Sequence, residues 1–380
     1  MDEITNISYQ MYDLIPTKNY FYNFRNTYRL DKQDTESNSV VLNRIPPTTQ
    51  EFPKKFSVVT DKWNNVGNDI WNINHYPYGA PIPQFINHSW EPIEPELDEK
   101  LFDLDNLRYG KNKNYYVIHS EKDSKQVEKV ESLGFKTVHW FAHGYLCAEY
   151  WFKGYNNSIS KLTHNNMEKV LRPIATPWVC LNRLIDNKRV HRIKLLNLLD
   201  VSKGVYSLPK KDPQTGRSPT TIYRNNKVHH NNIDDFPNSS TWLNTMFLDE
   251  VNTSFLHVVT ETVFQDQRKH LTEKVFKPII MHQPFVLVGG KGTLEYLKSY
   301  GFQTFDRWWS EEYDNITDND GRLKAIADVV NSIGQKSTNE LEQMRTEMLD
   351  VLDHNFKWFY NGFSDVVWSE LKRQLGSIYG

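Results

Sequence analysis

The chain has 380 residues, of which 24% are charged and 38% hydrophobic, and its formal net charge at pH 7 is −2. This balance excludes wholesale disorder, and the near-neutral charge excludes a global positive field that would hold nucleic acid, although a local basic groove stays open. The only cysteines are Cys147 and Cys180, which excludes a disulfide framework and a cysteine-rich zinc site and favours a reducing compartment.

The length of the chain suits two domains, and its apolar segments are short. The N-terminal residues lack the basic and apolar regions of a signal peptide, and no apolar run approaches the roughly 20 residues that span a bilayer. We therefore expect a soluble, cytoplasmic protein without a membrane span.

Residues 1–110 show little periodicity and are rich in Asn, Pro, Tyr and Trp, which predicts mostly loops and edge elements. The pattern sharpens at the apolar run 115–119, which predicts a buried strand. Ser120 is suited to cap a helix that extends through Leu133, and residues 135–141 predict the next strand. This strand–helix–strand order predicts a βαβ unit.

A second α/β region follows Pro173 and Pro177, which we interpret as the linker. Strands are predicted at 178–181, 255–260, 285–288 and 302–305, and helices at 189–199, 271–282, 293–300, about 320–333 and 337–355. Two such regions predict an α/β protein with two Rossmann-like lobes that face a cleft. The predicted parts are an N-terminal lobe (1–172), a C-terminal lobe (173–355) and a final helix (356–380). Ligands of such sheets bind beyond the carboxyl ends of the strands.

The strongest local feature is a basic segment at the start of the predicted 271–282 helix. Thr272 can cap this helix, whose first N–H groups attract anions. Three cations surround the same point: Arg268, Lys269 and Lys274. Glu273 suits a different contact, because a carboxylate accepts hydrogen bonds from vicinal hydroxyls such as those of a ribose. The segment therefore predicts a diphosphate site, and the alternative is a basic loop before an ordinary helix.

A second polar group follows the predicted strand 178–181. It contains Asn182, Arg183, Lys188, Arg189 and Arg192. Arginine suits bidentate contact with phosphate, and cations at a helix start oppose the helix dipole unless an anion lies nearby. A ligand site and a solvated helix start are both consistent with this pattern.

A third group contains two candidate general bases near a predicted strand end. His143 or Glu149 could remove the proton of an acceptor hydroxyl. Glu121, just after the 115–119 strand, is a weaker candidate. The alternative for each is a structural role, as a hydrogen-bonded histidine or a capping glutamate in an aromatic core.

Two further patterns carry less weight. The glycine-rich turn 289–293 lacks the spacing of a P-loop, although it could approach a ligand. The pairs Asp103/Asp105 and Asp318/Asp320 satisfy an Asp-x-Asp pattern that can bind a metal and a nucleotide. With 47 acidic residues in the chain, such pairs are expected by chance.

Residues 255–305 resemble the donor-binding region of the α1,3-fucosyltransferase-like glycosyltransferases. The matching residues are Glu261, Thr272-Glu273-Lys274 and Pro284-Phe285-Val286-Leu287-Val288-Gly289, and Asn182 with Arg189 and Arg192 is similar to an upstream strand-then-Arg segment. One departure is Thr262, which follows Glu261 where the family has Asn-Ser. The chain is also similar to glycosyltransferase-like proteins of tailed bacteriophages, through His143-Gly144 and Glu149-Tyr150-Trp151.

The resemblance implies a GT-B fold whose last helix crosses back to the first lobe. It also implies a nucleotide-diphosphate sugar donor, no obligate metal and transfer with inversion, in the host cytoplasm if a phage encodes the chain. Lys274 and Arg189 or Arg192 would neutralise the diphosphate, and Glu273 would hold the ribose. The full set of expected donor contacts is Asn182, Arg183, Arg189, Arg192, Glu261, Arg268, Thr272, Glu273 and Lys274.

The expected enzyme is a hexosyl- or pentosyltransferase with the acceptor on the N-terminal lobe. Its acceptor would be a glycan, a protein or a hydroxymethylated base of phage DNA. Two alternatives stay open. One is a non-catalytic sugar- or partner-binding phage protein on the same fold. The other is a metal-dependent GT-A enzyme that uses Asp103 and Asp105.

Overall fold

The computed structural model of the chain describes residues 21–23, 84–87, 89, 92–93, 115–132, 135–153, 172–228, 249–265 and 268–379. The chain divides into two compact units: Met1–Leu146 with Val367–Gly380 forms unit 1, and Cys147–Val366 forms unit 2. The sequence pattern predicts boundaries near residues 172 and 355 instead. The functional division into an acceptor lobe and a donor lobe stays a prediction.

Unit 1 contains a parallel sheet with sequential strand order. Its described strands are β1 (Phe21–Asn23), β2 (Gln84–Asn87), β3 (Tyr115–His119) and β4 (Lys136–His139). Val117 and Ile118 in β3 are fully buried, as expected for a parallel sheet that is covered on both faces. Helix α1 (Lys125–Ser132) joins β3 to β4, which confirms the predicted βαβ unit.

Helix α1 begins four residues later than it would if Ser120 were its N-cap. Glu121 accepts a hydrogen bond from the Ile93 backbone at 2.7 Å and another from the Ser124 hydroxyl. Ser124 Oγ in turn accepts from the Gln126 backbone at 3.2 Å, so Ser124 is the N-cap. The buried Glu121 carboxylate thus organises this turn. Glu121, a weaker candidate for the general base, therefore has a structural role here.

After β4, a short helix α2 (Ala142–Leu146) continues into a π-helical turn, Cys147–Trp151. Unit 2 then contains the parallel strands β5 (Thr176–Cys180), β6 (Val205–Tyr206), β7 (Ser254–Thr260) and β8 (Phe285–Val288), in the spatial order β6-β5-β7-β8. Every residue of β7 and β8 is buried. The described residues therefore form a mixed α/β protein with parallel sheets, which confirms the fold class at this level.

The helices of unit 2 are mostly short before residue 319 and longer after it. They are α3 (Val190–Leu198), α4 (Pro219–Ile222), α5 (Asp249–Asn252), α6 (Phe276–Ile280), α7 (Thr293–Lys298), α8 (Asn319–Gly334), α9 (Thr338–Glu347) and α10 (Leu349–Trp358). A second π-helical turn, Phe359–Phe363, leads into α11 (Ser364–Tyr379). Among the helices of the described residues, none combines the length and apolar composition that a membrane span requires.

The C-terminal part of α11 belongs to unit 1 and packs there on the end of β4. The Gln374 side chain donates to the His139 carbonyl at 2.6 Å and accepts from the His139 N–H at 3.0 Å. The ring of Trp368 stacks on Tyr145 with centroids 4.9 Å apart. The side chains of Val367, Leu371 and Leu375 are buried and repeat every four residues, so they form one apolar stripe.

Three predicted elements of unit 2 differ from the structure. The 271–282 helix is limited to α6, because Pro278 has no N–H and fits only the first turn of a helix. Residues 302–305 form no strand, since the Gln303 backbone bonds to the Asn355 side chain at 2.8 and 2.9 Å. The 337–355 helix is interrupted at Met348, which ends α9 and begins α10.

Arg322 on α8 joins several loops at one end of the unit 2 sheet. Its guanidinium donates to the carbonyl oxygens of Phe264, Gly289 and Ile316 at 2.6, 3.2 and 2.8 Å, and to the Asn319 side chain at 2.7 Å. The side chain is 1% exposed and lies over the Phe264 ring at 4.4 Å. One buried cation therefore satisfies carbonyl groups that no strand or helix pairs.

We expect Arg322→Met to lower the free energy of unfolding by about 3 kcal/mol or more, because the change leaves several buried carbonyl groups unsatisfied. Arg307→Met is the matched control, since Arg307 is exposed and pairs with Asp350 at 2.8 Å on the surface. Its expected cost is about 1 kcal/mol or less. Chemical denaturation measures both, and equal losses would contradict the role assigned to Arg322.

Candidate functional site

A chain of buried polar groups closes the carboxyl ends of β5, β6 and β7. Asn182 is fully buried, its N–H donates to Ser207 Oγ at 2.7 Å, and its side-chain oxygen accepts from Thr260 Oγ1 at 2.8 Å. Because Ser207 follows β6 and Thr260 ends β7, Asn182 ties three strand ends together. The structure gives Asn182 a positioning role, and its contact with a donor stays a prediction.

Glu261 is the first residue after β7, and it is fully buried. Its carboxylate accepts from the Thr272 N–H at 3.2 Å and from the Thr272 hydroxyl at 2.6 Å. Burial raises the pKa of Glu261, while Lys274 and the hydrogen bonds from Thr272 oppose this rise. Glu261 therefore fixes the position of Thr272, eleven residues further along the chain.

Arg192 lies on α3, and backbone carbonyl groups accept all of its described hydrogen bonds. It donates to Leu184 O at 2.8 Å, to Thr260 O at 3.1 Å and to Glu261 O at 3.2 Å. Burial lowers the pKa of its guanidinium to about 10, so the group stays charged at neutral pH. In the structure Arg192 holds the strand ends, and its predicted contact with a diphosphate stays a prediction.

His191 is a neighbour of this network to which the sequence pattern assigned no role. Its Nε2 bonds to the Glu261 carbonyl oxygen at 3.2 Å, and its ring stacks on Phe264 with centroids 4.9 Å apart. Burial holds the pKa of His191 well below its ordinary value, so the ring is neutral. Since a carbonyl oxygen only accepts, we assign the ring proton to Nε2.

The outer part of the network is the turn Thr272-Glu273-Lys274, which precedes α6. Lys274 Nζ donates to Thr272 Oγ1 at 3.0 Å, to Glu273 Oε1 at 2.9 Å and to Thr262 Oγ1 at 3.4 Å. The side chains of Lys274 and Glu273 are 30% and 19% exposed. The structure therefore brings Glu261, Thr272, Glu273 and Lys274 together and leaves the last two accessible to solvent.

The helix interpretation of this turn is wrong in its details. Thr272 does not cap α6, because the helix starts at Phe276 and its N-cap residue is Val275. Thr272 Oγ1 instead donates to Glu261 and accepts from Lys274. A helix of five residues offers little macrodipole, so side-chain charge rather than the helix start must attract an anion here.

Lys277 adds a second amine one turn after Lys274. It is half-buried, and burial lowers its pKa to about 8, while Glu273 raises that pKa and Lys274 lowers it. The amine is therefore mostly charged at neutral pH, and its charge responds to charges that arrive beside it. The sequence analysis did not select Lys277. Its spacing of three residues from Lys274, which places both on one side of a helical turn, was the signal that could have indicated it.

Arg268 and Lys269 lie half-buried against the glycine-rich turn that follows β8. A Cβ on Gly290 would lie 2.4 Å from the Arg268 carbonyl oxygen, so only glycine permits this approach of two backbones. Gly292 has a φ of +74°, and a Cβ there would lie 2.4 Å from Lys269 Cε. Gly290 and Gly292 therefore allow the glycine-rich turn to pack closely against the segment that contains Arg268 and Lys269.

The start of α7, which follows the glycine-rich turn, already holds a carboxylate. Asp314 accepts from the Leu294 N–H at 3.0 Å and from the Glu295 N–H at 3.0 Å. Burial raises the pKa of Asp314, and these two hydrogen bonds oppose the rise. These N–H groups at the start of α7 are therefore already occupied, whereas Glu273 and Lys274 keep access to solvent.

Arg183 and Arg189, the other two arginines of the polar group that follows β5, lie in different environments. Arg189 forms an ion pair with Asp186, whose carboxylate also caps the helical turn before α3. Arg183 is exposed, and the described part of the chain gives its side chain no hydrogen bond or ion pair. The structure places both near the end of β5, and their contact with a donor stays a prediction.

The two candidate bases belong to different units. His143 is buried in α2 of unit 1. Glu149 lies in the π-helical turn of unit 2, where Oε1 accepts from the Ser364 hydroxyl at 2.6 Å and Oε2 pairs with Lys153 at 2.7 Å. Burial opposes ionisation of Glu149, but Lys153 and Ser364 outweigh it and lower the pKa. Glu149 is therefore ionised at neutral pH.

Of the two Asp-x-Asp pairs, the structure describes Asp318 and Asp320, and both form contacts within the fold. Asp318 caps α8 through the Gly321 N–H at 2.6 Å, and Asp320 pairs with Lys194 at 2.8 Å. Asp103 and Asp105 lie outside the described residues. Within the described ranges, no group of three or more His, Cys, Asp or Glu side chains is arranged to hold a metal ion.

No family model, no curated protein and no solved structure matches this chain. The function is therefore inferred from the geometry of the site and from the sequence resemblance alone.

We expect Glu261→Gln to change the pH dependence of stability. A raised pKa means that the wild type loses stability as pH rises above the ordinary value of 4.5, because the folded state holds its proton more tightly than the unfolded state. The neutral glutamine removes this loss, so the stability of the variant relative to the wild type rises with pH. Chemical denaturation across this pH range measures the difference.

Glu340→Gln is the matched control with the opposite sign. Hydrogen bonds from Ser337 lower the pKa of Glu340, so its contribution to stability is present above the ordinary pKa and is lost in acid. The relative stability of Glu340→Gln should therefore fall as pH rises. A parallel response of the two variants would contradict the raised pKa of Glu261.

Proposed function

We propose that this chain is a glycosyltransferase that moves a sugar from a nucleotide-diphosphate sugar to an acceptor hydroxyl without an obligate metal. The observation that carries the proposal is the Thr272–Lys274 turn, where a half-exposed ammonium lies 2.9 Å from a half-buried carboxylate. The ammonium of Lys274 suits a phosphate oxygen. The carboxylate of Glu273 suits the vicinal hydroxyls of a ribose.

The buried network supports this assignment because it holds the cation in place before a ligand binds. Glu261 fixes Thr272 through two hydrogen bonds, and the Thr272 hydroxyl accepts a bond from Lys274. A charge that is positioned in advance needs little reorganisation when negative charge develops nearby. This arrangement suits a leaving group that gains charge during the reaction.

The proposed reaction breaks the bond between the anomeric carbon and the diphosphate. The leaving diphosphate gains negative charge, which Lys274 would stabilise directly, with Arg268 and Lys277 as further cations of the same region. The acceptor oxygen attacks the anomeric carbon as the bond breaks, and a base takes its proton. Single displacement with inversion of configuration follows from the resemblance to the fucosyltransferase-like family.

Either His143 or Glu149 serves as the base in this proposal. Glu149 is ionised at neutral pH, so it can accept a proton, although hydrogen bonds from Ser364 and Lys153 make its carboxylate a weak base. The same two contacts favour the second candidate function, a sugar- or partner-binding protein without turnover. Transfer or hydrolysis of a donor distinguishes these two functions.

The finer architecture belongs to the proposal. The two units would be the lobes of a GT-B enzyme, with the nucleotide sugar on unit 2, the acceptor on unit 1 and the last helix returning to unit 1. The resemblance of residues 255–305 to the donor-binding region supports this arrangement, and similarity to phage glycosyltransferase-like proteins supports a bacteriophage source. The acceptor would be a glycan, a protein or a modified base of DNA.

We expect Lys274→Ala to weaken nucleotide-sugar binding at least about tenfold, because a hydrogen bond to a charged group contributes about 1.5–3 kcal/mol. A thermal-shift screen with UDP-, GDP-, CMP- and dTDP-sugars first identifies the donor. A ligand at 100 times its Kd stabilises the folded protein by about 2.7 kcal/mol, which such a screen detects. Calorimetry then gives the affinity of each variant.

Lys324→Ala is the matched control for Lys274→Ala. Lys324 is an exposed lysine on α8 that pairs with Asp328 at 2.7 Å, so its loss removes one positive charge without touching the site. Equal donor affinity in Lys274→Ala and wild type, with the melting temperature unchanged, would refute the assignment of this turn as the phosphate site.

We expect Glu149→Gln to abolish most of the transfer while donor affinity stays unchanged, because the amide cannot accept the proton. The assay contains EDTA, which removes metal-dependent turnover of the GT-A kind. Ser364→Ala is the control, since it removes one hydrogen bond from the carboxylate and leaves the base intact. Full activity of Glu149→Gln would move the role of base to His143, which His143→Gln then tests.

A further inference from the structure

The positive charge of unit 2 is concentrated in one segment of the chain. Residues 183–228 contain eleven Lys and Arg against three Asp, a net charge of +8, while the whole chain has a net charge of −2. Every residue of this segment is described by the structure. A near-neutral protein therefore carries a strongly basic region, and the remainder of the chain is acidic.

The fold brings two parts of this segment together beyond the ends of β5 and β6. The Ile185 N–H donates to the Asp212 carboxylate at 2.9 Å, and Arg217 Nη1 donates to the Asn187 side chain at 3.0 Å. The turn after β5 thus packs on the loop after β6. Four cations on these two segments form what we call the basic surface: Arg183, Lys210, Lys211 and Arg217.

The aspartates of the segment form no ion pair with these four cations in the described chain. Asp212 is buried and accepts hydrogen bonds from the backbone of Ile185, Gln214 and Thr215. Burial opposes the ionisation of Asp212, but these hydrogen bonds outweigh it and lower the pKa. Asp212 is therefore ionised at neutral pH and organises the turn that follows it. Asp186 pairs with Arg189, and Asp200 bonds to Ser202. All three acids are therefore used within the fold.

The cations of the basic surface face solvent without acidic partners in the described chain. Arg183, Lys210 and Lys211 are exposed, and their side chains form no hydrogen bond or ion pair with the described residues. Arg217 donates to the Asn187 side chain and to the Thr221 carbonyl oxygen at 3.2 Å, which are both neutral acceptors. Their mutual repulsion is relieved when a polyanion binds.

We propose that the basic surface binds the phosphodiester backbone of double-stranded DNA. Contacts with phosphate need only cations and hydrogen-bond donors, and both are present. A protein partner needs apolar anchors as well, but the exposed large hydrophobic residues of the described chain are Leu198 and Val366, which lie outside both segments. Single strands need exposed aromatic rings for stacking, whereas Tyr206 and Tyr223 in this region are half-buried.

This inference goes beyond the proposed glycosyltransferase activity and does not depend on it. The cations of the basic surface follow β5 and β6, whereas the Thr272–Lys274 turn follows β7. DNA binding and nucleotide-sugar binding can therefore be measured separately, and one can fail while the other holds.

The test measures binding of the full chain to a fluorescent DNA duplex of about 20 bp, that is, about two helical turns. Fluorescence anisotropy is recorded between about 50 and 200 mM salt, and the expected Kd near physiological salt is roughly 10⁻⁶–10⁻⁴ M. The test variant is Lys210→Gln/Lys211→Gln/Arg217→Gln, which leaves every residue of the expected donor site unchanged. Because each phosphate contact contributes about 0.9 to the salt dependence of log K, the slope should fall in magnitude by about 2.7.

The control variant is Lys324→Gln/Lys336→Gln/Lys357→Gln, which removes the same charge from α8, from α10 and from the turn between α8 and α9. Lys324 and Lys357 pair with Asp328 and Asp353 there. This variant should keep the wild-type slope. Loss of binding equal to that of the test variant would show a net-charge effect and would overturn the proposal.

Three further outcomes are decisive. Absence of DNA binding by the wild type at about 50 mM salt, or an unchanged slope in the test variant, overturns the proposal. Equal competition by polyglutamate and by unlabelled duplex, at equal charge, also overturns it, because any acidic polymer would then suffice. The thermal shift with nucleotide sugar is measured on the same variants, and an unchanged shift shows that the donor site is intact.

Discussion

The structure of unit 2 depends on how the carbonyl groups at the ends of its strands are satisfied. At the end of β7, Arg192 donates to the backbone carbonyl oxygens of Thr260 and Glu261. A buried guanidinium costs free energy through desolvation, which its lowered pKa records. Five donors on a planar group nevertheless suit several carbonyl oxygens at once. The position of the Glu261 carboxylate, and through it of Thr272, follows from this anchoring.

The polar residues at this edge of the sheet therefore fall into two groups with different tasks. Asn182, Arg192 and Glu261 are buried and bonded to one another or to the backbone, so they set geometry. The side chains beyond them keep solvent access and charge. Because the strands are parallel, segments that follow β5, β6 and β7 lie on one edge. Both proposed ligands, the sugar donor and the DNA duplex, are assigned to segments at that edge.

The sequence pattern predicts β3, β4, β5, β7 and β8, which contain short runs of apolar residues, but it misses β1, β2 and β6. Strand β6 has only two residues, both half-buried, so it offers no apolar run to recognise. The strand-end rule and the family resemblance together selected Asn182, Glu261 and Lys274, and the structure places all three in one hydrogen-bonded network around Thr260 and Thr272. Their binding of a ligand stays a prediction. The pattern cannot show whether a polar group is already satisfied. Arginine is a residue type that suits phosphate, but the described hydrogen bonds of Arg192 go to carbonyl oxygens of two separate segments.

Long-range partners explain the other differences. Residues 302–305 have the composition of a strand, yet Asn355, fifty-two residues later, bonds to their backbone. Arg322 is indistinguishable in sequence from a surface arginine of an amphipathic helix, but it is 1% exposed. The short α6 is different, since Pro278 could have been recognised locally as a limit on the helix.

The π-helical turn Phe359–Phe363 has a consequence for the evolution of the C-terminus. Such a turn contains one residue more than an α-helical turn would, and each residue advances a helix by about 100°. The azimuth of the stripe of Val367, Leu371 and Leu375 is therefore set by this single insertion. A one-residue deletion among 359–363 would restore regular winding, and it would turn that stripe by about 100° relative to α10. A change of length in this short segment therefore redirects every later side chain of the helix, which a substitution within it does not do.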